Sequence, residues 1–143
     1  MRLIVIVVVI LVVKKWCLVP IRVTGHSMEP TFRDGRISVI NLLIYRWQEP
    51  RRGDVVAVQE HDRRMILLKR VVGLPGERVL VRDGRTMVDG TLLDEPYARG
   101  HDMESMTNEF ELGPGEYFVV GDNRDITAYG PVDLAEIKGK VLF

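Results

Sequence analysis

Cysteine, histidine, net charge and long apolar runs are all scarce in this 143-residue chain, and each shortage removes an explanation. The one cysteine, Cys17, cannot close an internal disulfide, so the fold cannot rely on covalent staples whatever its compartment. With 20 basic against 20 acidic residues there is no global field to attract nucleic acid, and the arginine clusters near 51–52, 63–64 and 82–85 read as solvated turns. Of the three histidines, His26 adjoins Ser27 and would project to the opposite face of a strand, while His61 and His101 sit in polar stretches crowded with charge. None offers itself as a base for a serine. The longest apolar run, Leu3 to Val13, would reach only about 16 Å as a helix against a hydrocarbon core of about 30 Å. No internal repeat is present.

What remains is 46% hydrophobic and 28% charged, enough for one compact domain and a terminal segment. A membrane span from Leu3 to Ile21 requires Lys14 and Lys15 to snorkel, with Trp16 as the interfacial aromatic. Three other readings compete for this segment. A cleaved signal peptide fits the Arg2 start, but no small-x-small site follows. A lipid anchor at Cys17 would need small apolar residues where Lys14, Lys15 and Trp16 stand. A strand of a soluble protein suits the β-branched composition. From Ile21 onward the pattern is β: Arg36 to Ile40, Asp54 to Gln59, Met65 to Val72, Glu77 to Val81 and Glu116 to Val120 are short runs separated by Gly, Pro and Asp. Asp83-Gly84 carries the hairpin signal that needs positive φ. Residues 98–110 read as a surface loop whose His101 and acids lack metal-ligand spacing.

One serine stands apart. Ser27 lies in Thr24-Gly25-His26-Ser27-Met28-Glu29-Pro30-Thr31, a tight Gly-before, Pro-after frame downstream of the apolar segment. A serine hydroxyl is a weak nucleophile at neutral pH and needs a base within hydrogen-bond reach. Lys69, in the nearly unbroken apolar strand Met65 to Gly73, is a candidate: pointed inward, desolvation would lower its pKa toward the range of a general base. The competing reading puts Lys69 and Arg70 at a strand edge, snorkelling to water.

Four stretches together resemble the bacterial type I signal peptidases: Gly25 to Thr31; Arg52-Gly53-Asp54-Val55-Val56; Lys69-Arg70-Val71-Val72-Gly73-Leu74-Pro75-Gly76-Glu77; and Gly121-Asp122-Asn123-Arg124-Asp125. A weaker run, Asp83-Gly84 with Leu93-Asp94-Glu95-Pro96-Tyr97, also resembles that family's middle segment. The resemblance implies a mainly β, antiparallel coiled-sheet fold with one N-terminal transmembrane helix. Residues 1–20 would be an uncleaved anchor and 21–143 the catalytic domain, with 82–114 a β insertion reduced to a hairpin and a loop. It implies Ser27 as nucleophile and Lys69 as general base, with no metal or cofactor. Thr127 would orient the lysine. Val23, Thr24, Met28, Phe32 and Leu68 would line the substrate pockets, and Gly25, Asp122 and Arg124 would support the site. The oxyanion would be held by the Ser27 N–H, since Gly25 stands where many members carry a second hydroxyl donor.

The implied partners are secretory preproteins and the lipid bilayer, with the catalytic domain on the extracytoplasmic side. By the positive-inside rule Lys14 and Lys15 outweigh Arg2 and argue the opposite orientation, which an additional upstream cytoplasmic segment would reverse. After Thr127 the chain is shorter than the family pattern by about four residues, whose Asp and Arg normally brace the site, so the resemblance implies either a less rigid site there or Asp125 with Arg124 as the brace instead. Two further readings follow. Self-cleaving repressors share the Ser-Met-x-Pro segment and a Ser/Lys dyad but lack Gly-Asp-Asn-Arg, and a membrane-tethered β module could have lost activity through the shortening.

Overall fold

The computed structural model describes residues 1–59 and 65–143; for residues 9–10 and 12–16 the backbone alone is described. His61 and the side chains of Lys14, Lys15 and Trp16 therefore lie outside the described residues. The apolar N-terminus forms helix α1 (Arg2–Cys17), which passes directly into strand β1 (Leu18–Arg22). The expected anchor is thus divided: Leu18, Val19 and Pro20 are not helical but pair with Asn41, Ile40 and Val39. Among the described residues no helix is long and apolar enough to cross a membrane. Leu3, Ile4, Val5, Ile6 and Leu11 on α1 are nevertheless more than half exposed.

The remaining strands are β2 (Ile37–Asn41), β3 (Val55–Gln59), β4 (Ile66–Gly73), β5 (Arg78–Arg82), β6 (Arg85–Val88), β7 (Thr91–Leu92), β8 (Phe110–Glu111), β9 (Glu116–Val120), β10 (Tyr129–Asp133) and β11 (Ile137–Val141). They make two sheets with antiparallel pairings, one in the order β1-β2-β11-β3-β4-β9-β10 and one in the order β7-β6-β5-β8. At its centre the larger sheet is buried on both faces. Val71 and Val119 pack with Val56, Val58, Tyr117 and Ile137 on one side. Val72, Phe118 and Val120 pack on the other against Val79, Val81 and Val88 of the smaller sheet and Leu112 just beyond β8. Burial on both sides explains why β4 and β9 read as continuous apolar runs rather than alternating ones. A third cluster, Val23, Met28, Phe32, Ile40, Val55, Ala57 and Val141, lies under the Ser27 segment.

The smaller sheet is larger than a hairpin and a loop, and it begins at Arg78 rather than at residue 82. Asp83 and Gly84 (φ 49° and 70°) make the expected β5–β6 turn, and Asp89 and Gly90 (φ 49° and 76°) make a second that adds β7. Strand β8 joins β5 because Phe110 pairs with Val79 and its ring lies 6.3 Å from that of Phe118. Within the supposed surface loop 98–110, Met103 is buried and the Met106 N–H donates to Val81 O at 2.8 Å.

Candidate active site

Strand β4 carries Lys69 into the interior, opposite Val56 of β3. It is only 7% exposed, so the snorkelling reading does not hold for it, nor for Arg70 at 8%. Among the described residues no carboxylate pairs with Lys69, and burial holds its pKa below the ordinary lysine value. Its Nζ lies 2.8 Å from Thr127 Oγ1. That oxygen also accepts from Gly121 N (3.0 Å) and donates to Ala128 O (3.0 Å). A hydroxyl has one proton and two acceptor sites, and Gly121 and Ala128 use one acceptor site and the proton. Lys69 can therefore meet Thr127 only as a donor, which leaves the lone pair of a neutral amine aimed elsewhere.

The Ser27 segment is held at several points. Met28, 2% exposed, roots it in the core, and Phe32 N closes a turn onto Met28 O at 2.9 Å. Thr31 Oγ1 donates to Asp122 Oδ2 at 2.5 Å. Asn123 N donates to Ser27 O at 3.0 Å and Asn123 Nδ2 to His26 O at 3.2 Å. Gly121 permits this approach: a Cβ there would lie 2.2 Å from Thr127 Oγ1 and 2.4 Å from Ser27 O. No Ser27–Lys69 hydrogen bond is present among the described residues, and Lys69 rests on Thr127.

Asp122 is fully buried and takes a two-toothed contact from Arg70, Nε to Oδ1 at 2.8 Å and Nη2 to Oδ2 at 2.6 Å. Arg70 also donates to Gly53 O at 2.8 Å and lies over the Tyr97 ring at 3.9 Å. Arg52 pairs with Glu77 at 2.5 Å. All four sequence motifs are thereby joined by buried or half-buried polar contacts. Arg124, fully buried, pairs with Glu95 at 2.6 Å and donates to Gly84 O and Gly121 O. The proposed Asp125–Arg124 brace is replaced by this pair. Asp125 instead accepts from the backbone of His101 (2.9 Å) and Asp102 (3.3 Å) and so fastens the 98–110 segment.

Beside Ser27 runs a groove of about 150 Å³ lined by Val23, Thr24, Gly25, Met28 and Leu68 together with Ile21, Arg22 and Met65 to Leu67. Phe32 does not line it; its ring belongs to the core beneath Val23 and Met28. His26 is exposed and pairs with Glu29 at 3.0 Å, which raises its pKa. No group of three His, Cys, Asp or Glu side chains among the described residues is arranged to hold a metal ion. The residues sequence reading passed over are Arg70, Glu95 and Asn123. Each lies inside a quoted motif, yet its partner is remote in sequence, so no local spacing could reveal the role.

Over residues 1–143 the chain matches the family described as signal peptidase, peptidase S26. It is 32% identical to signal peptidase I V of Bacillus subtilis (strain 168) over 90% of this chain and 86% of that one. Signal peptidase IB of Staphylococcus aureus is 30% identical over 95% of this chain and 82% of its own length. Among solved structures, a signal peptidase I from Enterococcus faecalis V583 superposes with a TM-score of 0.55 at 27% identity, covering 65% of this chain and 97% of that one. The chain belongs to the S26 signal peptidase family of serine peptidases.

Proposed function

We propose that this chain is a membrane-attached endopeptidase that removes N-terminal signal peptides from exported preproteins after small-x-small sites, with Ser27 as nucleophile and Lys69 as general base. The observation that carries the reading is Lys69 itself. It is buried, has no carboxylate partner among the described residues, and is held by a hydroxyl that can only accept from it. A buried ammonium without a counter-charge favours the neutral amine, and a neutral amine with a free lone pair is a proton acceptor.

In the reaction, Ser27 Oγ attacks the scissile carbonyl carbon as Lys69 Nζ takes the hydroxyl proton. The tetrahedral oxyanion is stabilised by the Ser27 N–H. On collapse, the C–N bond breaks, Lys69 returns its proton to the leaving amine, and the signal peptide remains as an ester on Ser27. Water, deprotonated by Lys69, then attacks the ester and frees the serine. The groove beside Ser27 would take the residues before the cut. An extended peptide alternates its side chains, so the first and third residues before the cut face the same wall, and the small volume favours alanine.

Membrane attachment through α1 is supported by its exposed apolar side chains, and the extracytoplasmic position of the catalytic domain by the family relationship. The decisive comparison is cleavage of an Ala-x-Ala preprotein by wild type, Ser27→Ala, Lys69→Ala and Lys69→Arg. All three variants should be inactive, the arginine one because a guanidinium stays protonated. Activity in Lys69→Ala would refute the base assignment.

A further inference from the structure

Asn123 has no part in the chemistry just described, yet its side chain touches the peptide unit on which that chemistry depends. Its Nδ2 donates to His26 O at 3.2 Å, and its Oδ1 accepts from Asp125 N at 3.3 Å. With a carbonyl on one side and an N–H on the other, only one orientation of the amide satisfies both contacts. His26 O and the Ser27 N–H belong to the same peptide plane. That bond is trans, so the two groups point in opposite directions. Among the described residues the Ser27 N–H has no hydrogen-bond partner. Ser27 O, the next carbonyl along, is held by the Asn123 backbone N–H at 3.0 Å. His26 O also accepts from the Glu29 backbone N–H at 3.2 Å, so the Asn123 amide is the second of two contacts on that carbonyl, and Asn123 touches the peptide planes on both sides of the Ser27 Cα.

We propose that Asn123 is a positioning residue for the oxyanion donor: its amide, added to the Glu29 N–H on the same carbonyl, holds the His26–Ser27 peptide plane so that the free Ser27 N–H is aimed before substrate arrives. The proposal rests on the reading of Ser27 as nucleophile. Hydrogen bonds to a developing oxyanion are effective when they need no reorganisation at the moment of reaction, and a peptide plane held by the single turn contact from Glu29 has more freedom to rotate than one held by two contacts. In this site no side-chain hydroxyl stands two residues before the nucleophile, where Gly25 is found, so the aim of the backbone donor matters more.

The test compares detergent-solubilised wild type, Asn123→Ala, Asn123→Asp and Ser27→Ala on a peptide with an Ala-x-Ala site. The Ala variant should lose about 10- to 100-fold in kcat, less than the loss of an oxyanion donor outright, because the N–H survives unaimed. The Asp variant should lose more, since a carboxylate oxygen would face His26 O. KM should stay within about threefold of wild type, because the donor acts on the transition state. The midpoint of the rise of activity with pH should not move, because Lys69 is untouched. Affinity for a peptide aldehyde, whose hemiacetal mimics the tetrahedral state, should fall in step with kcat, while affinity for the matching non-hydrolysable peptide should not. Wild-type kcat in both Asn123 variants, with Ser27→Ala inactive, overturns the proposal alone. So does a loss that leaves aldehyde affinity intact, shifts the pH midpoint, or comes with a lowered melting temperature in both variants. Activity surviving in Ser27→Ala removes the underlying reading instead, and the proposal with it.

Discussion

Lys69 concentrates the argument at the scale of single residues. Burial lowers its pKa, so in the folded protein it sheds its proton at a lower pH than in the unfolded chain. Activity should therefore climb with pH as the neutral amine forms, with a midpoint below the ordinary lysine value of about 10.4; a profile flat from acid to alkaline pH would contradict Lys69 as the titrating base. The same shift has a stability consequence of known sign. Below the folded pKa the ammonium is charged in both states and its desolvation destabilises the fold; above the unfolded pKa it is neutral in both and that cost is gone. Lys69→Met should accordingly raise the melting temperature near neutral pH, and the gain should shrink as pH rises toward 10. Thr127 is tested by two substitutions. Thr127→Ser retains the hydroxyl network and should retain activity, whereas Thr127→Val should lower kcat by about 10- to 1,000-fold, roughly 1.4 to 4 kcal/mol, with little change in KM. A nearly silent Thr127→Val would contradict the role assigned to the hydroxyl.

At the scale of elements, the site is built where β4, the end of β9 and the Ser27 segment meet, and Arg70–Asp122 is the contact that ties them. Both groups are buried, so Arg70→Met would leave Asp122 without its counter-charge and with Thr31 as its remaining side-chain partner, at a cost of about 3 to 5 kcal/mol in urea unfolding. Adding Asp122→Asn should recover part of that loss; a cost below about 1 kcal/mol for the single change would show that the pair does not hold the elements together. Strand identity was largely legible in the sequence: the runs at 36–40, 54–59, 65–72, 77–81 and 116–120 match β2, β3, β4, β5 and β9 within about a residue. Strands β7, β8 and β10 were not, for two reasons. β7 and β8 have two residues each, too few for any periodicity, and β10 contains Gly130 and Pro131, which read locally as a turn. Pro131 is tolerated because β10 is the edge of its sheet.

For the molecule as a whole, the four motifs specified the site because each contributes to one connected polar network, but their wiring was invisible in the sequence. Arg124 shows why. Its neighbour Asp125 is the obvious partner by position, yet the burial of its guanidinium selects Glu95, brought close only by the smaller sheet. The helix end was equally beyond the reach of hydropathy, since Leu18 to Pro20 are apolar enough to continue α1 but gain backbone pairing with β2 by leaving it. Attachment through α1 is tested by carbonate extraction of membranes: the full chain should stay in the pellet, and release of the full chain into the supernatant would count against an inserted helix. The most direct test of the central claim is to incubate the solubilised full chain with a preprotein whose signal ends in Ala-x-Ala and sequence the N-terminus of the product. A single new N-terminus immediately after the last alanine, absent with Ser27→Ala and with a Phe substituted for that alanine, is the predicted result. The same cleavage by Ser27→Ala would contradict the account.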